Sequence, residues 1–450
     1  MLKPQIFKAN DIRGIVGDEW DAEGAYALGC AFAMLIPEEK IVVSRDMRVS
    51  SPEILGAFVC GVTDVGTAVV DVGLGSTDEL WFASGFLDLP GVQITSSHNT
   101  SIYNGLKMCR VRAKPVTAAF LQELADLAQA IDAGVRVPPK VAHPASVEHM
   151  DIRDHYVSYL LDHVNMTHMR HLKVVVDAGN GMGGYTASAV LKNLDVELIG
   201  LFMDLDGTFP NHQPNPLEPK NLLDAQEAVR KTKADLALVF DGDADRVLII
   251  DERGEVVSPS TITALIAVRL LEQEPGATIV VNTSVSASVR EIVQEHGGRV
   301  VESRVGHTYV KALMATHDAV FGGEHSAHYY FRDFFGADTG MLAALHLLSV
   351  VGETDQPLSS IVSGYSRYAA SGEINSTVRD PQAAMDKVAT ALGTGARIET
   401  EDGLRITGDR WRVCLRPSNT EPLLRLNVEA SSVDVMSELR DEVLCLLKEE

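Results

Sequence analysis

Ser97 stands in the run Thr95-Ser96-Ser97-His98-Asn99-Thr100-Ser101-Ile102-Tyr103-Asn104-Gly105-Leu106-Lys107, directly after the apolar segment Gly91-Val92-Gln93-Ile94. A serine hydroxyl is a poor nucleophile until a base or a metal ion helps it. His98 beside it and Lys107 further on are groups that could move a proton or supply charge. The same residues also suit an ordinary polar turn, where Ser, Asn and Gly are common. Taken alone, the segment does not choose between the two.

Asp241-Gly242-Asp243-Ala244-Asp245-Arg246 lies between the apolar runs Leu236-Ala237-Leu238-Val239-Phe240 and Val247-Leu248-Ile249-Ile250. Three carboxylates at alternate positions, pinned between apolar strands, repel one another unless a cation joins them. A hard ion such as Mg²⁺ suits such all-oxygen ligands. An EF-hand competes, because Glu252 falls at the twelfth position of its loop. It fails, because Arg246 stands where that loop needs Gly and an apolar strand fills its second half.

Two further segments have weaker chemistry of their own. In Gly322-Gly323-Glu324-His325-Ser326-Ala327-His328, Glu324 and Ser326 can accept from and donate to vicinal hydroxyls, as sugar recognition requires. In Arg416-Pro417-Ser418-Asn419-Thr420-Glu421-Pro422, an arginine, two hydroxyls and an amide in a Pro-bounded turn can cradle a phosphate.

The elements that must hold these groups follow one pattern. Short β-branched runs such as Lys40-Ile41-Val42-Val43-Ser44, Lys173-Val174-Val175-Val176-Asp177 and Ala277-Thr278-Ile279-Val280-Val281-Asn282 alternate with amphipathic helical stretches. This is the signature of α/β architecture. The nucleophile segment then falls on a loop at the C-terminal end of a strand, where α/β ligands bind. Punctuation near Val137-Pro138-Pro139, Glu252-Arg253-Gly254 and Gly352-Glu353-Thr354-Asp355-Gln356-Pro357 divides the chain. Past the last break it reads as α+β, with a tight turn at Asp402-Gly403-Leu404. The expected domains are 1–145 with the serine loop, 146–252 with the acidic loop, 253–360 with the Glu324 loop, and 361–450 with the Arg416 turn.

The chain has 450 residues, too many for one hydrophobic core, and 46% of them are hydrophobic, enough for several. The formal net charge of −23 argues against nucleic acid or an anionic membrane as partner. It also demands local Lys and Arg wherever a phosphate binds. Five scattered cysteines without a CxxC pair predict neither a disulfide framework nor a zinc site, and point to a reducing cytoplasm. The first residues lack an apolar stretch suited to a signal peptide, and no run approaches the length needed to span a bilayer.

All four segments, in this order, resemble the α-D-phosphohexomutase superfamily and its bacterial phosphomannomutase/phosphoglucomutase branch. The resemblance covers essentially the whole chain. It extends to Phe7-Lys8-Ala9-Asn10-Asp11-Ile12-Arg13-Gly14, Arg45-Asp46-Met47-Arg48, Asp177-Ala178-Gly179-Asn180-Gly181, Asp206-Gly207-Thr208-Phe209-Pro210-Asn211 and Gly306-His307. It implies three related α/β domains with mixed sheets and a smaller α+β C-terminal domain around a central cleft. Position by position, it implies a phosphoserine at Ser97 that completes the Mg²⁺ shell with Asp241, Asp243 and Asp245. Glu324 and Ser326 would read sugar hydroxyls, and Arg416, Ser418, Asn419 and Thr420 would hold the distal phosphate. Arg13, Lys107, Arg246 and His307 would lie near the reacting phosphate or sugar.

The implied reaction interconverts hexose 6-phosphate and hexose 1-phosphate through phospho-Ser97. Its intermediate and activator is hexose 1,6-bisphosphate. Lys107 or His307 would move the proton, with His98 supporting the serine; the sequence does not rank them. Small sugar phosphates are the expected partners, and a monomer or weak homodimer the expected state. The rival on the same chemistry is phosphoglucosamine mutase, and a serine-dependent metal phosphohydrolase is the rival from another reaction class. Three departures from the family pattern stand out: Thr100 where Pro is usual, Asn10 where Tyr is common, and no basic residue near Asn282-Thr283-Ser284.

Overall fold

The computed structural model of the protein describes residues 2–417 and 423–448. Four sheets follow one another along the chain. In the first, Gly91–Ile94, Lys40–Arg45, Ala68–Leu74 and Val147–His149 run parallel, and Tyr103–Arg110 then Ile12–Ile15 add antiparallel at the other edge. In the second, Leu236–Phe240, Leu172–Asp177 and Val196–Leu201 are parallel, and Val247–Asp251 and Val256–Val257 reverse direction beside them. The third repeats the scheme, with Arg299–Ser303, Thr278–Asn282 and Phe321–Gly323 parallel and Tyr329–Phe331 and Ala337–Asp338 antiparallel. The fold class is therefore α/β with mixed sheets, and the fourth sheet is antiparallel throughout.

The shared topology has one functional consequence. Each chemistry-bearing loop is the connection from the last parallel strand to the first antiparallel one: Ser97 between Gly91–Ile94 and Tyr103–Arg110, the aspartates between Leu236–Phe240 and Val247–Asp251, and Glu324 between Phe321–Gly323 and Tyr329–Phe331. All three leave the C-terminal end of a parallel strand. The apolar content of the central strands fits this placement. Leu236–Phe240 and Val247–Asp251 are buried along their whole length, as strands covered on both faces must be.

One continuous apolar cluster joins the first three domains, from Val42, Leu80 and Trp81 through Val174–Val176 and Leu236–Phe240 to Phe334 and Leu345. At the junction, Phe82 of helix Thr77–Leu87 lies 5.1 Å (ring centroids) from Tyr159 and 5.8 Å from Tyr156, both on helix Arg153–Asp162. The buried Asp78 carboxylate accepts from Tyr156 Oη and from Thr339 Oγ1, each at 2.7 Å, so one side chain of the first domain holds the second and the third. The fourth domain has a separate core around Val388, Ile406, Val413 and Leu426. It meets the third through polar contacts: Asp402 accepts from Thr283 Oγ1 (2.7 Å) and from the Val305 amide (2.9 Å), and Glu429 from the Ala287 amide (2.9 Å).

Glu79 begins the same helix as Asp78 in a reciprocal cap with Ser76, accepting from the Ser76 amide at 2.8 Å. Burial pushes its carboxyl up from 4.5 to about 8. Between those values the folded state keeps a proton that the unfolded chain releases, so this group costs stability as the pH rises through that window. Glu79→Gln retains the cap and removes the titration. The Tm of that variant, relative to wild type, is expected to rise by about 2 °C or more between roughly pH 5 and pH 8. A difference that stays constant across the window removes Glu79 as a source of pH dependence.

Candidate active site

The strand Gly91–Ile94 is followed by Thr95, whose Oγ1 accepts from the Ser97 amide at 3.0 Å. This turn places Ser97 at φ +49°, in the left-handed region that side-chain-bearing residues enter at a cost of roughly 1–3 kcal/mol. Its Oγ lies 2.9 Å from Asp241 Oδ2, 3.2 Å from His98 Nδ1 and 3.3 Å from Arg246 Nη2. The two loops touch backbone to backbone: a Cβ built on Gly242 would stand 2.4 Å from the Ser97 carbonyl oxygen. Only glycine allows that approach.

Arg246 Nη2 is 2.6 Å from His98 Nδ1 and 2.7 Å from Asp241 Oδ2. A guanidinium only donates, so Nδ1 of His98 accepts and its ring proton sits on Nε2. Burial and the charge of Arg246 hold His98 well below the usual histidine range. His98 is thus a neutral prop between the serine and the arginine.

Carboxylate oxygens of Asp241, Asp243 and Asp245 lie within 4.8 Å of one another, all buried. Lys107 Nζ donates to Asp243 Oδ2 at 2.7 Å and to Asp245 Oδ2. Burial opposes its charge, yet Asp243 and Asp245 outweigh burial and hold the ammonium above its usual range. Burial and the neighbouring Asp243 push Asp245 up to about 7. Two arguments fit this cluster to a divalent cation. With all three carboxylates ionised, Lys107 and Arg246 leave one negative charge over, and buried Oδ1 atoms of Asp243 and Asp245 have no hydrogen-bond partner among the described residues. Buried acceptors are otherwise satisfied in folded proteins, and an all-oxygen donor set suits a hard ion.

The remaining cations gather at the edges. Arg13 donates to Asp11 Oδ2 (2.8 Å) and to Asn99 Oδ1 (3.0 Å) of the serine loop. Across the domain boundary, Arg246 bridges to His328 by backbone pairing. His328 Nδ1 lies 2.9 Å from Ser326 Oγ, and its Nε2 lies 3.9 Å from Asp245 Oδ1. Burial pushes His328 down to about 4 and His307 to about 3, so both are neutral imidazoles. His307 opens helix His307–His317, and next to it Thr308 Oγ1 donates to Asn10 Oδ1 at 2.7 Å. Asn10 thus ties the first domain to the third.

Glu324 is held rigidly: Asn282 Nδ2 donates to Oε2 at 2.9 Å, and Tyr330 Oη donates to Oε1. Burial raises its carboxyl. Arg416, the penultimate residue of strand Trp411–Pro417, lines a cavity of about 440 Å³ between the third and fourth domains, with Thr283, Ser284, Arg304 and Tyr309. Ser418, Asn419 and Thr420 lie outside the described residues. The structure brings Ser97, His98, Lys107, Arg13, Arg246 and the three aspartates into one cluster, with the Glu324 loop joined to it through His328. Sequence reasoning passes over His328, for which the one available signal is its place at the end of the Glu324 loop.

Sequence models of the phosphoglucomutase/phosphomannomutase family match the chain in four pieces. These are alpha/beta/alpha domain I at residues 4–134, domain II at 154–254, domain III at 258–368 and the C-terminal domain at 373–445. A phosphomannomutase of Salmonella typhimurium is 37% identical over 99% of each chain. A solved phosphoglucomutase/phosphomannomutase family protein from Burkholderia thailandensis superposes with a TM-score of 0.90 at 33% identity, covering 100% of this chain and 98% of the other. An N-acetylphosphoglucosamine mutase from Aspergillus fumigatus, solved with GlcNAc-6P and magnesium, shares the fold at a TM-score of 0.63 and 14% identity, over 100% and 97% of the two chains.

Proposed function

The chain belongs to the phosphoglucomutase/phosphomannomutase family, and from that premise we propose that Ser97 is the residue that carries the transferred phosphoryl group. As a phosphohexomutase the protein interconverts hexose 6-phosphate and hexose 1-phosphate. The observation that carries the assignment is the position of Ser97 Oγ, 2.9 Å from Asp241 and within reach of Arg246.

In the forward half-reaction the bond from phosphorus to Ser97 Oγ breaks as a bond to the free hydroxyl oxygen of the hexose phosphate forms, giving hexose 1,6-bisphosphate. The hydroxyl proton passes to a neutral imidazole. His328 is better placed than His307, because its loop pairs with Arg246 and its Nε2 faces Asp245. Lys107, held protonated by two aspartates, contributes charge rather than a base. Arg246 and Lys107 stabilise the departing Oγ and the phosphoryl oxygens, which is most of what a protein offers this reaction. Asp241, Asp243 and Asp245 with the serine phosphate would hold Mg²⁺, which when bound adds Lewis-acid charge at the phosphoryl oxygens. The Aspergillus relative in complex with magnesium supports that choice of ion.

The bisphosphate then turns over, and its other phosphoryl group returns to Ser97. Glu324, fixed by Asn282 and Tyr330, accepts from sugar hydroxyls, and Ser326 donates beside it. Arg416 with Ser418, Asn419 and Thr420 clamps the phosphate that is not reacting. A clamp on a separately cored domain suits closure over the substrate. A monomer or weak homodimer is the expected state. Unpaired cysteines suit a reducing cytoplasm, and no described helix is long and apolar enough to cross a membrane.

Peptide-level mass measurement of the purified protein tests the assignment. A phosphate is expected on Ser97, discharged by mannose or glucose phosphate with isomerised product. Discharge by glucosamine phosphate alone would move the substrate to the amino sugar, and release of free phosphate without isomerisation would make the enzyme a hydrolase. A fully active protein with no phosphate at Ser97 overturns the reading.

A further inference from the structure

The run Arg45-Asp46-Met47-Arg48 has had no part in the chemistry so far, although it lies directly beneath the serine loop. Arg48 is 1% exposed. Its Nε donates to Asp46 Oδ2 at 3.1 Å. Its Nη1 donates to the carbonyls of Thr100 (2.7 Å) and Tyr103 (3.0 Å), and its Nη2 to those of Ser97 and Asn99, both at 2.8 Å. A guanidinium has five N–H donors in a rigid plane. These five bonds occupy all of them, and four end on main-chain carbonyls of the serine loop and of Tyr103, which begins the strand after it.

The anchorage around this side chain is equally complete. Asp46 is buried and accepts from Ser51 Oγ at 2.6 Å and from the Arg48 amide at 3.0 Å. From the second domain, the Phe209 ring covers the guanidinium with its centroid 5.1 Å from the central carbon. A Cβ on Gly207 would come within 2.5 Å of Arg48 Cα, so that cover is also as close as main chain permits. Four carbonyls converging on one point need a cation to hold them there, and one of them belongs to the residue at φ +49°.

We propose that Arg48 is the positioning residue of phosphoryl transfer, a template that fixes the turn of the serine loop so that Ser97 Oγ keeps its place whether bare or phosphorylated. The proposal rests on the reading of Ser97 as the phosphorylated residue. A mutase uses that oxygen in both directions within one cycle, as leaving group and then as nucleophile, and both steps need the same alignment with Arg246 and Asp241. Lysine cannot replace the template, because three donors on a flexible stem cannot span four carbonyls. Among the described residues, the Arg48 side chain bonds to Asp46 and to carbonyls at 97–103 rather than to the Glu324 loop or Arg416, so its loss is expected to spare substrate binding.

Two variants test this. Arg48→Lys is expected to lower kcat by about 100-fold, the cost of a misplacement of order 1 Å, with KM within about 3-fold of wild type. Arg48→Ala is expected to lose more and to regain about 10-fold in kcat when guanidinium ion is added at sub-denaturing concentration, a recovery that a merely structural defect does not give. Discharge of phospho-Ser97 by hexose phosphate in a single turnover should slow in parallel with kcat. A folded Arg48→Lys enzyme that turns over at the wild-type rate overturns the assignment, as does folded Arg48→Ala that ignores guanidinium. Both results leave the Ser97 reading standing while wild type carries phosphate on Ser97; a wild type without it overturns that reading instead.

Discussion

Ser97→Ala is expected to reduce isomerisation by at least about 10⁴-fold, because removing a covalent nucleophile removes the pathway rather than slowing it. Among the described residues, the nearby hydroxyls of Ser96 and Thr77 are already engaged. Ser96 Oγ is directed at Asn99 Oδ1 (3.4 Å), and Thr77 Oγ1 is bound to Asp243 at 2.5 Å. The variant should fold as wild type does, since alanine at φ +49° is no more strained than serine and the Asp241–Arg246 pair remains. The measurement is a coupled isomerisation assay with Mg²⁺ and hexose 1,6-bisphosphate present. Turnover by Ser97→Ala at the original rate would sink the whole account.

Chelation should be nearly as severe. Stripping divalent metal with EDTA is expected to lower kcat by about 10³-fold or more, the several kcal/mol that a Lewis acid supplies at a phosphoryl centre, and added Mg²⁺ should restore it. Asp243→Asn should show a similar loss that Mg²⁺ does not restore. The loss has a structural counterpart in stability. Among the described residues the ionised aspartate cluster has one uncompensated negative charge and two unpartnered buried oxygens, so Mg²⁺ should raise the Tm of wild type and have less effect on Asp243→Asn. Full activity after exhaustive chelation would show that Lys107 and Arg246 alone carry the charge.

Much of this site was legible because its parts are local. Alternate aspartates between two apolar strands announce a buried acidic hairpin, and the structure has one, Leu236–Phe240 to Val247–Asp251. Ser97 follows an apolar strand, and it sits on the predicted loop. Relations between segments were not legible. Spacing does not reveal that Lys107, a strand residue of the first domain, is bonded to Asp243 and Asp245 of the second. Nor does it reveal that Arg48 gathers four carbonyls from a loop some fifty positions away, since main-chain acceptors leave no mark in side-chain identity. His328 looks like any polar loop residue until burial and Asp245 give it a role. Asn10, which stands where the family commonly has Tyr, accepts from Thr308 of the third domain, another tie that spacing does not reveal.

Strand reversal at the same point in three successive sheets gives these tips an unusual mechanical property. In a parallel sheet the two ends of a connection are joined to different neighbours, and a helix must intervene; at a reversal they are hydrogen-bonded to each other. A tip closed in this way has already surrendered most of its conformational entropy when the ladder zips, so the groups it carries arrive aimed. Contacts between the tips, Gly242 against the Ser97 carbonyl and Arg246 paired with His328, then lock the three aims to one another.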